Sequence, residues 1–214
     1  MTGRMKNHLR LYLVTDPQLC AQIGTVDTVR RAVAGGVTMV QLRAKNATTA
    51  QRIELALALK AALQGTGVPL VINDDVTAAV AADVDGAHIG QGDIATDKAR
   101  AMLGPDRILG LSCETPQTVR DADPALVDYL GLGPVFNTDT KTDHAQPTGF
   151  DGLADLVALS ALPNVAIGGL KPEHIESVLA SGADGMAVVS AICGQPDPEA
   201  AARAFHTFKP EYKP

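Results

Sequence analysis

Eight short apolar runs recur along the chain and alternate with longer segments of helical character. The runs lack the polar/apolar alternation of a half-exposed strand, which favours strands buried on both faces, as in a parallel sheet. The intervening segments, such as 48–64 and 172–180, carry Ala, Leu and Glu at helical spacing. The predicted strands are 11–14, 39–42, 70–72, 87–89, 108–111, 129–132, 165–167 and 186–189.

Strands that alternate regularly with helices predict an α/β protein with a parallel sheet. The 214 residues suffice for a compact (β/α)8 TIM barrel, a fold that takes upward of about 200 residues. An open, doubly wound sheet is the structural alternative, but Thr15, Asp16 and Pro17 follow the first run in place of a G-x-G-x-x-G turn. We predict one barrel domain over 1–214, with a loose N-terminal segment 1–9 and a loose tail 211–214.

Charge and composition exclude several classes of protein. The formal net charge of -6 and the absence of a basic block argue against a nucleic-acid partner. No apolar stretch approaches the roughly 18 residues of a membrane span, and no secretory signal precedes the first strand, so a cytoplasmic protein is expected. Three widely spaced cysteines predict neither a disulfide framework nor a zinc site. Homo-oligomer formation stays open.

Polar side chains collect just after the predicted strands, where a barrel carries its active site. Gln41, Arg43 and Lys45 share one side of an extended strand because alternate residues point the same way. A guanidinium and an ammonium together suit a phosphate or pyrophosphate. The alternative is a solvated strand end.

Hard oxygen ligands follow the next two strands. Asn73, Asp74 and Asp93 would lie at neighbouring strand ends, and two carboxylates with water and substrate phosphate make a magnesium site. The alternative is local capping, by Asp74 or Asp75 of a helix beginning near residue 76, and by Asp93 of a following turn.

The last two strands end in residues suited to a phosphate. Gly168 and Gly169, together with Val189 and Ser190, predict a cradle of backbone N–H groups, although a glycine pair also makes an ordinary tight turn.

The long connection over 136–149 predicts a lid. Within it, Thr138, Thr140 and Lys141 are candidate contacts to a bound anion, although a lysine in such a loop is commonly solvated. His88 is interpreted as a core histidine, and Cys113 as a packing residue.

Six ordered segments resemble the thiamine phosphate synthase family. They are VQLRAK at 40–45, IND at 72–74, HIGQGD at 88–93, GPVFNTDTK at 133–141, AIGG at 166–169 and VVSAI at 188–192. The resemblance implies a (β/α)8 barrel that joins 4-amino-2-methyl-5-hydroxymethylpyrimidine diphosphate to a thiazole phosphate, with Mg2+ as cofactor. The products would be thiamine phosphate and pyrophosphate.

The resemblance also implies a role for each matching residue. Gln41 and Ser112 would contact the pyrimidine, and Asp74 and Asp93 would bind magnesium. Catalytic roles would fall to Arg43, Lys45, Ser112 and Lys141. The diphosphate would be held by Arg43, Lys45, Asn73 and Lys141, and the thiazole phosphate by Thr138, Thr140, Gly169, Val189 and Ser190.

Two positions depart from the family pattern. Asp75 stands where the family has arginine, and Cys113-Glu114 stands where it has alanine and histidine. Two alternative functions stay open: the related thiazole tautomerase, whose proposed histidine would fall at Glu114, and a noncatalytic barrel that binds a phosphate ligand.

Overall fold

Eight parallel strands close into a barrel in the computed structural model, which describes residues 2–138 and 146–205. The strand order is β1 to β8 in chain order, and β1 pairs with both β2 and β8. This closure confirms the predicted TIM barrel and excludes the open sheet. The strands are β1 Leu11–Val14, β2 Met39–Leu42, β3 Leu70–Asn73, β4 Gly86–Ile89, β5 Ile108–Cys113, β6 Tyr129–Leu132, β7 Asn164–Ile167 and β8 Met186–Val188.

Helices connect successive strands on the outside of the barrel. The helix α3 begins with a complete capping box, in which Thr48 and Gln51 satisfy each other's backbone N–H groups. The segment predicted as a helix over 172–180 opens with a 3-10 turn, Pro172–His174, before its α-helical part. The helices are α1 Thr2–Leu9, α2 Thr25–Ala34, α3 Thr49–Leu63, α4 Val76–Ala81, α5 Thr96–Leu103, α6 Pro116–Arg120, α7 Gly149–Leu159, α8 Ile175–Ala180 and α9 Pro198–Arg203.

The two faces of the strands build two separate cores. Leu13, Val40 and Leu42 point outward into the layer between strands and helices. Tyr12 and Met39 belong to a smaller cluster in the barrel interior. Since alternate residues face opposite sides, β2 sends Gln41 inward beside Met39 and leaves Leu42 in the outer layer.

The N-terminal segment is ordered, contrary to the expectation of a loose stretch over 1–9. Residues 2–9 form α1, and Leu9 is fully buried in the interior cluster. Lys6 pairs with Asp184 at 2.8 Å, and the hydroxyl of Thr38 donates to the carbonyl of His8 at 2.8 Å. These tertiary contacts fix a helix whose own sequence is mostly polar. The tail at 211–214 lies outside the described residues.

Helix lengths bear on membrane insertion. In the two described stretches, every helix is too short or too polar to cross a lipid bilayer.

Candidate active site

A cavity of about 590 Å³ opens at the carboxyl ends of the strands. Its size suits a small organic ligand. All the predicted site residues that the structure describes line it: Gln41, Arg43, Lys45, Asn73, Asp74, Asp93, Ser112, Thr138, Gly169, Val189 and Ser190.

Two residues of the predicted set, Thr140 and Lys141, lie outside the described residues, as does the rest of 139–145, the middle of the predicted lid.

The cationic wall comes from the end of β2 and the residues after it. Arg43 is half-buried and Lys45 is exposed, and both line the cavity beside Gln41. The backbone N–H of Arg43 donates to the hydroxyl of Thr15 at 3.1 Å, and Thr15 is completely buried. This bond ties the strand end to the neighbouring loop and fixes where the guanidinium begins. Gln41 is in β2, whereas Arg43 and Lys45 follow the end of the strand, and all three side chains line the same cavity.

Two carboxylates face each other at the cavity mouth. Asp74 has a φ of 62°, and its N–H donates to the carbonyl of His88 at 2.8 Å. Asp93 accepts from the N–H of Gly90 at 2.7 Å, which closes its turn. Partial burial raises the pKa of Asp74 to about 6, a hydrogen bond and repulsion from Asp93 add to the rise, and the charge of Arg43 opposes it.

This pair fits a magnesium ion. Two carboxylates close enough to share a hydrogen bond favour a proton or a cation between them, and hard oxygen ligands are those Mg2+ prefers. Within residues 2–138 and 146–205, no group of three or more His, Cys, Asp or Glu side chains is placed to hold a metal. The remaining ligands would therefore be water and substrate oxygens, as is usual for magnesium.

Asp75 is the helix cap rather than part of the cavity wall. Its side chain accepts from the N–H of Ala78 at 2.9 Å at the start of α4, and from Thr49 at 2.8 Å. Arg52 pairs with it at 3.0 Å. Although burial acts in the opposite direction, these bonds and the charge of Arg52 hold the pKa of Asp75 below its usual range. The departure from the family's arginine thus adds no unpaired negative charge to the cavity.

The opposite wall carries the glycine pair after β7. Gly169 has a φ of 64°, and a Cβ there would lie 2.8 Å from the Cβ of Phe136 and 2.9 Å from the carbonyl oxygen of Asn137. Backbone from two loops therefore approaches closely at this point, next to Thr138. Only glycine meets both the positive φ and the contact.

If Gly169 contacts the thiazole phosphate, as the family resemblance implies, replacing it by Ala should raise KM for the thiazole phosphate by about tenfold or more and leave KM for the pyrimidine diphosphate within about twofold. The added methyl group pushes the segment 136–138 away from the cradle. Steady-state kinetics with each substrate varied in turn measures the two values. Gly67→Ala is the matched control, because Gly67 also has a positive φ but lies in open space away from the cavity. Equal changes in both KM values would contradict the assignment.

Sequence reasoning did not assign His88 to the site. His88 is buried, as predicted, yet it also lines the cavity, and its Nε2 lies 2.9 Å from the hydroxyl of Ser112. Tyr12 and Gln91 line the cavity too. Tyr12 and His88 lie within predicted strands and Gln91 follows one, so each was placed where a side chain can reach the cavity. The sequence alone, however, does not distinguish a histidine that lines a cavity from one that packs in the core.

Cys113 is a packing residue, as predicted. It is fully buried and its thiol donates to the carbonyl of Thr118 at 3.3 Å. Burial raises its pKa to about 11, so it holds its proton at neutral pH. The neighbouring Glu114 lines the cavity.

Comparison with known proteins decides the family. A family profile described as "Thiamine monophosphate synthase" matches residues 11–192. The chain belongs to this family.

Individual family members match nearly the whole chain. A thiamine-phosphate synthase of Xanthobacter autotrophicus is 53% identical over 197 residues, covering 92% of this chain and 93% of its own. A thiamine-phosphate synthase of Psychrobacter sp. is 51% identical over 197 residues, covering 91% of this chain and 92% of its own.

Solved structures agree with the family at the level of the fold. The thiamine phosphate pyrophosphorylase of Pyrococcus furiosus superposes with a TM-score of 0.86 at 34% identity, covering 95% of this chain and 96% of its own. A 3-hexulose-6-phosphate synthase superposes with a TM-score of 0.69 at 16% identity, covering 94% of this chain and all of its own, which shows a shared barrel alone.

Proposed function

We propose that this chain is a thiamine phosphate synthase that joins 4-amino-2-methyl-5-hydroxymethylpyrimidine diphosphate to 4-methyl-5-(2-phosphoethyl)thiazole. The products are thiamine phosphate and pyrophosphate. One observation carries the proposal: a single cavity is lined by two cations that follow β2, a carboxylate pair at the ends of β3 and β4, a glycine pair that follows β7, and uncharged polar side chains. Such a cavity has separate places for a diphosphate, a second phosphate and a polar ring.

The first step breaks the bond between the pyrimidine methylene carbon and the diphosphate oxygen. The electron pair leaves with pyrophosphate, and a pyrimidinylmethyl cation remains. Arg43 and Lys45 stabilise the negative charge that develops on the leaving oxygens, because both cations line the cavity. No side-chain nucleophile or base takes part, which agrees with the protonated, buried state of Cys113.

The second step forms the carbon–nitrogen bond. The lone pair of the thiazole nitrogen attacks the methylene cation, and the nitrogen becomes quaternary without any proton transfer. Backbone N–H groups near Gly169 and Ser190 hold the thiazole phosphate, so that the nitrogen meets the cation before water does. The barrel walls exclude bulk water from the deep end of the cavity, where Tyr12 and Gln41 are almost fully buried.

Asp74 and Asp93 would hold the magnesium ion. When bound, the ion supplies positive charge that neutralises the leaving pyrophosphate. The two carboxylates line the cavity within interaction distance of each other, and Arg43 lies close enough to influence the charge of Asp74.

Purified protein with both substrates and Mg2+ tests the proposal directly. We expect one thiamine phosphate and one pyrophosphate for each pyrimidine diphosphate consumed, and neither product when the thiazole phosphate or Mg2+ is left out. Isomerisation of a thiazole phosphate carboxylate without Mg2+ or the diphosphate would instead identify a tautomerase. Binding of either phosphate with no turnover would identify a noncatalytic barrel.

A further inference from the structure

Five side chains form an unbroken line of hydrogen bonds across the barrel interior, and four of them line the cavity. The Nε2 of Gln41 donates to the hydroxyl of Tyr12 at 2.7 Å. The hydroxyls of Tyr12 and Tyr129 are 2.8 Å apart, and the latter lies 2.8 Å from Nδ1 of His88. The Nε2 of His88 lies 2.9 Å from the hydroxyl of Ser112. The line therefore joins the two residues expected to contact the pyrimidine.

Glycines on β5 and β6 make room for this line. A Cβ at Gly110 would lie 2.2 Å from Cζ of Tyr129 and 2.4 Å from Nδ1 of His88. A Cβ at Gly131 would lie 3.3 Å from Cε1 of His88. Both glycines lie in strands, where the backbone conformation does not require glycine. The space that the rings of Tyr129 and His88 need explains why no side chain is present at these positions.

The protons in the line all run in one direction. Burial raises the pKa of both Tyr12 and Tyr129, so each phenol keeps its single proton and accepts one hydrogen bond while donating the other. Since the Gln41 amide nitrogen can only donate, Tyr12 accepts from it and donates to Tyr129. Tyr129 then donates to Nδ1 of His88, which leaves the ring proton of His88 on Nε2 and directed at Ser112.

The direction of the hydrogen bonds determines whether each end of the line offers the cavity a donor or an acceptor. Gln41 directs its nitrogen to Tyr12, and in the described part of the chain its amide oxygen has no hydrogen-bond partner although the side chain lines the cavity. Ser112 accepts from His88 and so keeps its own hydroxyl proton for a ligand. We infer that Tyr129 and His88 are positioning residues that make Gln41 an acceptor and Ser112 a donor, which selects an aminopyrimidine over an oxopyrimidine.

The ring of the proposed substrate has the complementary pattern, so this inference rests on the proposed function. An exocyclic amino group donates to an oxygen such as that of Gln41, and a ring nitrogen accepts from a hydroxyl such as that of Ser112. An oxo group in place of the amino group would bring its oxygen against the amide oxygen of Gln41, and two acceptors cannot form a hydrogen bond with each other. Sites built from fixed hydrogen-bonding groups reject such mismatched ligands strongly, because buried polar groups then stay unpaired.

The substitution Tyr129→Phe tests the inference, because Tyr129 is fully buried and does not line the cavity. We compare kcat/KM for the aminopyrimidine diphosphate with that for its 4-oxo analogue. The native protein should prefer the amino compound by about 100-fold or more. The preference should fall about tenfold in Tyr129→Phe, since Tyr12 loses its acceptor and the amide of Gln41 is free to rotate. KM for the thiazole phosphate should not change.

Ser181→Ala is the matched control, because it removes one hydroxyl hydrogen bond at the end of α8, away from the cavity. It should leave the preference unchanged. A preference that stays the same in Tyr129→Phe, even if both kcat/KM values fall together, would overturn the inference. So would the absence of any preference in the native protein.

A second measurement needs no variant and no substrate. Assigned 1H–15N NMR spectra of the native protein, labelled with 15N at histidine, should show His88 neutral with its proton on Nε2. A proton on Nδ1 would reverse the direction of the line and overturn the inference. Because this result does not depend on catalysis, it separates a failure of the inference from a failure of the proposed function, which the product assay reports.

Discussion

Replacing Asp93 by Asn is expected to lower kcat by about 100-fold or more at a fixed Mg2+ concentration. The amide oxygen still accepts from the N–H of Gly90, so the turn that carries the residue is retained. The lost charge removes half of the carboxylate pair with Asp74. We expect the Mg2+ concentration for half-maximal rate to rise, and calorimetry with Mg2+ and pyrophosphate to show weaker binding.

The control for this prediction is Asp97→Asn, an identical change in the exposed first turn of α5 outside the cavity. Activity and Mg2+ dependence should stay at native values. If Asp93→Asn kept both the native rate and the native Mg2+ requirement, the carboxylate pair would have a local structural role only.

The change Arg43→Gln should lower kcat by about 100- to 1,000-fold, since Arg43 is half-buried in the cavity wall and, in the proposed arrangement, stabilises the leaving diphosphate. The kcat of Arg43→Lys should lie between that of Arg43→Gln and that of the native protein, because lysine keeps the positive charge but cannot bind two oxygens through a planar guanidinium. KM for the thiazole phosphate should change by less than about threefold in both variants. Steady-state kinetics at saturating Mg2+ measures these values.

Arg30→Gln is the control, since Arg30 lies on the exposed surface of α2. If Arg43→Gln raised KM for the thiazole phosphate more than KM for the pyrimidine diphosphate, Arg43 would contact the thiazole phosphate instead. That result would contradict the proposed arrangement.

The strands could be predicted because a parallel barrel buries both of their faces, which leaves continuous apolar runs in the sequence. The largest errors are at strand ends. β5 continues through Ser112 and Cys113, and β3 includes Asn73, since backbone pairing with neighbouring strands extends past the last apolar residue. Asn73 and Ser112 are polar because they line the cavity. The apolar run therefore ends before them in the sequence, although the strand continues through them.

Helix α1 could not be predicted from its own residues. Its stability depends on contacts with parts of the chain distant in sequence, notably the ion pair of Lys6 with Asp184 and the burial of Leu9 under the barrel. Short helices in general are stabilised more by tertiary packing than by intrinsic propensity.

The site residues could be proposed because strand ends converge in a barrel, so spacing alone placed Gln41 and Arg43 on the cavity side. The two interpretations of Asp74, metal ligand or helix cap, could not be separated without coordinates, since both use the same carboxylate and Asp75 was an equally good candidate for the cap. The hydrogen bonds of His88 depend on Tyr129 and on space at Gly110, all on different strands. No local pattern carries that information.

The central claim is that one cavity holds both substrates at opposite walls. The most direct measurement is a crystal structure of the protein with thiamine phosphate, pyrophosphate and Mn2+ in place of Mg2+. We expect an anomalous manganese peak between Asp74 and Asp93, with pyrophosphate against Arg43 and the phosphate group of thiamine phosphate against Gly169 and Ser190. Pyrophosphate at the glycine cradle, or either product bound outside this cavity, would contradict it.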